Sequence, residues 1–313
     1  MLVIGGALLA SPATANHHKK GEKENKLEMF VNNAQADGYL EAHKTLTVPQ
    51  PLTGGPINVS ISQDGGGVFV ILPSKARLDD DVFGQPAMPR WHGGTPGISG
   101  VPPAARSSED GEYTRMKKPS PFGDNAISMG GASLTLKMTD KTATDVAMGH
   151  TEDTTRMKAS WQDAEGNTYT VKCCKVMAAH GLEFPTFGGV ATNHILHGFS
   201  GMGTPLMPTE YTYAAFWGMG EVSKNGETLD KPRMIHGMLT EYVRKEGYQL
   251  AKDSGVDPKR RHFHLMVPPM KPKPEETRYE HSNVNTGFSL PNGKTLPFWH
   301  VMFEESEVTS DRE

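Results

Sequence analysis

Residues 211–243, YTYAAFWGMGEVSKNGETLDKPRMIHGMLTEYV, decide the fold. At their centre Lys224-Asn225-Gly226-Glu227 is a strong hairpin signal, because Asn and Gly tolerate the backbone of a tight two-residue turn. The stretches on either side, 211–222 and 233–243, read as strands. In the second, apolar and other residues alternate with period two, the pattern of a strand with two unlike faces. Ile235, Leu239 and Val243 fall on one face; His236, Met238, Thr240 and Tyr242 fall on the other.

The tetrapeptide Ile235-His236-Gly237-Met238 recurs towards the C-terminus as Phe263-His264-Leu265-Met266 and Trp299-His300-Val301-Met302. Random placement of the chain's 13 His and 17 Met would give fewer than one His-x-Met pair, and three are present. Each copy lies in a predicted strand, 262–267 and 298–305 being the last two. On these strands Phe263, Leu265, Val267, Trp299, Val301 and Phe303 make an ordinary apolar face. The opposite face carries His262, His264, Met266, His300, Met302 and Glu304. With neighbouring strands in register, the imidazoles and thioethers meet on one surface.

That donor set suits a soft metal, copper above all, whereas zinc or iron would prefer His with Glu304. The expected ligands are His236, His262, His264, His300, Met238, Met266 and Met302. His262-x-His264 is the tightest local chelate among them. His194 and His197, spaced His-x-x-His in a Gly-rich loop that also holds Met202 and Met207, lie within plausible reach of the same site.

Other templates fail. There is no Cys-x-x-Cys-His for covalent c-type haem, no His-Glu-x-x-His, and no phosphate-binding Gly loop ending in Lys-Ser/Thr. Gly198-Phe-Ser200-Gly201-Met202 misses the nucleophile elbow at its last position. Cys174 and His180 are spaced wrongly for a mononuclear blue-copper centre, and the His262-Phe-His264 region lacks the spacing of a cupin site. Three functions follow in order. First comes a metal-binding protein; second, a barrel that binds a small molecule; third, an enzyme using His or a bound metal with Glu304 or Glu241 assisting.

Working outward, residues 132–138, 142–148, 156–162 and 167–177 are further predicted strands. Residues 57–61 and 68–72, with Gln63-Asp64-Gly65-Gly66-Gly67 between them, read as another hairpin. Residues 27–34 have helical spacing, and residues 73–125 form a Pro- and Gly-rich irregular segment with Trp91-His92 inside it. The fold expected is all-β and mainly antiparallel, a meander barrel or sandwich of about eight to ten strands. The main β domain spans 126–308, with a tail at 309–313.

The two cysteines, Cys173 and Cys174, are adjacent. On a regular strand neighbouring side chains point to opposite faces, so two thiols are expected, Cys173 the more buried. A vicinal disulfide, a metal thiolate and an intermolecular bridge are the alternatives. Residues 1–15 read as a signal peptide: a short apolar run, then Ala13-Thr14-Ala15 before Asn16. No Lys or Arg precedes the run, unlike a typical signal, which allows for a start upstream of Met1. Export to the periplasm or cell exterior follows, and residues 16–26 form a polar, disordered lead. The net charge of −4, without a basic block, argues against nucleic acid as partner. No transmembrane stretch is predicted, since the leader is too short to span a bilayer.

Overall fold

The structure, a computed structural model, describes residues 57–75, 77–78, 84–85, 88–89, 106–109, 115–118, 120–141, 151–176, 187–197, 207–245, 248–251, 255–268, 270–272, 279–281 and 299–311. The expected leader, lead, helix, strand 142–148 and residues Trp91, His92 and Met202 lie outside them. In chain order the strands are β1 (Ile57–Asp64), β2 (Val68–Ser74), β3 (Gly84–Gln85), β4 (Met88–Pro89) and β5 (Ser120–Asp140). Then follow β6 (Thr154–Gln162), β7 (Thr168–Val176), β8 (Val190–Leu196), β9 (Glu210–Lys224) and β10 (Glu227–Tyr242). The last are β11 (Asp257–Val267), β12 (Met270–Pro272), β13 (Tyr279–His281), β14 (Trp299–Phe303) and β15 (Glu307–Ser310).

The protein is all-β and antiparallel. Eight strands close a ring in the order β2, β14, β11, β10, β9, β7, β6, β5 and back to β2. Among the described residues, no helix is long and apolar enough to cross a membrane. The β9–β10 hairpin turns at Asn225 and Gly226, whose φ values of 51° and 87° define the tight turn that matches strand twist. Lys224 pairs with Glu227 across it. The turn is anchored sideways, because Thr168 N donates to Asn225 Oδ1 and Asn225 N donates to Thr168 O, both at 2.8 Å.

The inward faces match the alternation. Ile235, Leu239, Phe263, Leu265, Val267, Val301 and Phe303 join Val68, Val70, Leu136, Trp161, Tyr169 and Phe216 in one core inside the ring. Gly237 also points inward, where a Cβ would lie 2.4 Å from the Phe216 ring and 2.7 Å from the Phe263 ring. Two phenylalanines meet there only because the strand omits a side chain. Val243 belongs instead to a smaller cluster with Met207 and Val256.

Several expectations are corrected. β1 and β2 form no hairpin with each other: both pair with β5, end to end, β1 along Ser133–Asp140 and β2 along Ser120–Met129. Gly65 and Gly66, at φ 82° and 73°, bend the chain and do not reverse it. Gly65 N still donates to Ala132 O at 2.8 Å, so the chain stays beside β5. Buried Gln63 fills the bend, its amide donating to the Gly65 and Gly67 carbonyls and accepting from Glu305 N. β5 begins at Ser120, inside the segment expected to be irregular, and the boundary expected at residue 126 falls within it. The last predicted strand breaks at residues 304–306; β15 then pairs with β1 as far as Ser310, into the stretch read as a tail. The Gly-rich stretch contains β8, which continues beyond β7 along β9.

The cysteines are also corrected. Cys173 and Cys174 are joined to each other by a disulfide, and the peptide between them is cis.

Candidate functional site: the His/Met face

The register of β10, β11 and β14 assembles the predicted face. One row across the strands reads His236, Met266, His300. The next reads Met238, His264, Met302. Thr240 faces His262 in the row beyond. His and Met thus alternate both along and across the sheet, in a checkerboard produced by three identical His-x-Met spacings on antiparallel strands.

This face is the outer surface of the ring, since the residues between these positions fill the interior. The His and Met side chains therefore do not line the lumen, which holds Trp161, Phe216, Phe263 and Phe303. The face is nonetheless buried: His262 and His300 are 0% exposed and His264 2%. Met238 and Met302 are buried with them, and Met266 is half-buried. Covering groups include Phe187, 6.0 Å from the His236 ring, and Phe122, 5.9 Å from the His300 ring.

Three of the four histidines come together. His264 Nε2 lies 2.6 Å from His262 Nε2, and His264 Nδ1 lies 2.7 Å from His300 Nε2. A neutral imidazole has one donor and one acceptor, so three in a row satisfy one another when their protons all point the same way. Two such nitrogens on one tetrahedral metal at about 2.0–2.1 Å stand roughly 3.3 Å apart. The spacing is therefore that of a hydrogen-bonded imidazole chain. Among the described residues, no three His, Cys, Asp or Glu side chains are arranged to hold a metal ion.

His236 stands apart from that chain. Its Nδ1 lies 2.7 Å from the Phe216 carbonyl, and its ring stacks on Trp217 at 3.9 Å. A carbonyl only accepts, so Nδ1 carries the proton and the lone pair sits on Nε2.

Burial keeps the His236, His262 and His264 rings neutral. It pushes the His236 pKa down to about 3, against the opposing hydrogen bond to Phe216. Burial likewise holds His262 and His264 well below the usual range, reinforced at His262 by the Arg244 guanidinium and His300, and at His264 by His262, His300 and Arg244. Arg244 is itself buried and donates to the Tyr248 carbonyl at 2.7 Å and to the Gly123 carbonyl. Sequence alternation gave no sign of it, because Arg244 follows the end of β10.

His197 reaches this neighbourhood: it is buried, and it lies close enough to His236 and His264 to disfavour a proton on either. Its Nε2 lies 3.6 Å from Glu210 Oε1, a partner thirteen positions along the chain that spacing alone did not suggest. Of His194 only the backbone, in β8, is described. Glu304 lies at the strand end near Arg260, 3.7 Å away, and burial raises its pKa. Glu241 is buried on the opposite face from His236, where it accepts from Tyr211 N at 3.0 Å.

No known family matches this chain, and no curated protein or solved structure matches it either.

Proposed function

We propose that this protein binds a soft metal ion, copper in its monovalent state, on the His/Met face, and that its role is metal handling without catalysis. One observation carries the reading: His264 lies across the ladder between Met238 and Met302, and Met266 lies between His236 and His300. Imidazole and thioether together are donors that monovalent copper accepts.

Charge points the same way. Burial disfavours protonation of His236, His262 and His264, and the Arg244 guanidinium acts on His262 and His264. A divalent ion would add two uncompensated charges to a buried site beside that cation, whereas monovalent copper adds one. Uptake then requires the imidazoles to swing out of their mutual hydrogen bonds. The short apolar run and small-x-small site at residues 2–15 support handling outside the cytoplasm, in the periplasm or beyond the cell.

The test is copper content of natively purified, untagged protein, followed by competition for monovalent copper against a coloured chelator. The double variant His264→Ala/His300→Ala should bind at least about ten-fold more weakly. Circular dichroism should show its sheet retained. Unchanged affinity in a folded double variant overturns the assignment.

A further inference from the structure

We infer that the Cys173–Cys174 bond is a reversible redox site, exchanging with dithiols while the barrel stays folded, rather than a structural staple. A disulfide stabilises a fold mainly by closing a loop of the unfolded chain, and more for longer loops. This one joins adjacent residues, so it closes no loop of intervening chain. The strands around it are held by backbone ladders to β6 and β9.

The surroundings favour exchange. Both cysteines are only half-buried, so a reductant has access. Cys173 pairs with Gly220 and Lys175 with Met219, which leaves Cys174 as the extra residue of a bulge. Glycine occupies the adjoining positions of β9: a Cβ at Gly218 would lie 2.7 Å from Cys174 Cβ and 2.8 Å from its Sγ. On that side the bare backbone of Gly218 packs directly against Cys174, so a reductant approaches from the opposite, partly exposed side.

Charge acts in the same direction. Exposed Lys172 and Lys175 flank the pair, and cationic neighbours favour thiolates, both arriving and leaving. The carboxylate opposite Lys172, Glu221, already pairs with Lys231 at 2.9 Å.

The step balances with a dithiol as reductant. Its thiolate attacks one cysteine sulfur; the Cys173–Cys174 bond breaks, a mixed disulfide forms and the other cysteine leaves as thiolate. The second thiol of the reductant then closes its own disulfide and releases the remaining cysteine. Two electrons and two protons pass to the pair.

The experiment is native alkylation read by intact mass. Untreated protein should take no maleimide; after dithiothreitol without denaturant it should take two per chain, with an unchanged circular dichroism spectrum. Reoxidation should restore zero. The variant Lys172→Glu/Lys175→Glu should be reduced about ten-fold more slowly at low salt, the gap closing in 1 M salt. Two labels on untreated protein, a bond that opens only in denaturant, or a rate indifferent to the charge reversal would each overturn the inference.

Discussion

Inside the ring, β10, β11 and β14 present Ile235, Leu239, Phe263, Leu265, Val301 and Phe303; on their outer side they present His236, Met238, His264, Met266, His300 and Met302. Both sets are buried except for half-buried Met266. The inner set stabilises by removing hydrocarbon from water, needs no partner of a particular polarity, and tolerates no loss of volume. The outer set buries imidazoles that must each find a donor or acceptor, so its contribution depends on its members being present together. One backbone thus supports two different kinds of interior.

Three measurements break or sharpen that contrast. Phe263→Ala should cost the most, about 3–5 kcal/mol in denaturant unfolding, because it empties a fully buried ring position. A loss below about 1 kcal/mol would show that the interior is not close-packed.

On the outer face, His264→Leu should cost about 1–3 kcal/mol by stranding the nitrogens of His262 and His300 that now face it. The triple variant with Leu at 262, 264 and 300 should cost less than the sum of its single variants, since no stranded partner remains. Strict additivity would mean that the imidazole chain is not a unit.

The smallest effect is on pH dependence. His236 has a folded-state pKa of about 3, below its unfolded value. Above the unfolded pKa both states are neutral and the group has no effect on stability. As the pH falls below it, the unfolded chain takes up the proton first, so stability drops until the folded pKa is reached. Between about pH 5.5 and 4, His236→Gln should flatten the acid slope of the metal-free protein by about 1.4 kcal/mol per pH unit. An unaltered slope would mean that His236 is already charged in the fold.

Much of this was legible in the chain. Asn225-Gly226 marks a turn that few other dipeptides can make, and strict alternation in β10, β11 and β14 sorts His and Met from aliphatic residues before any coordinates are known. Register was not legible, because sliding a strand by two residues preserves its faces while changing every neighbour. Nor was the sense of the bend at Gly65-Gly66, since positive φ serves a reversal and a kink equally. β8 was hidden by the glycines around it. β5 was hidden at its start by Pro119 and Pro121, which local reading takes as breakers. The cysteine reading assumed a regular strand, and the β7–β9 ladder shifts register at that point. Of the site, the imidazole face was visible; Arg244 and the Trp217 stack depend on tertiary neighbours and left no local pattern.

β14 is the last strand to enter the ring, and it docks between β11 and a strand from the early part of the chain, β2. The same five residues bring His300 and Met302. A nascent polypeptide that lacks this stretch can neither seal its cylinder nor complete the checkerboard of imidazoles and thioethers. Closure of the ring and completion of the His/Met face therefore depend on one and the same short strand, and its loss would forfeit architecture and surface chemistry in a single stroke.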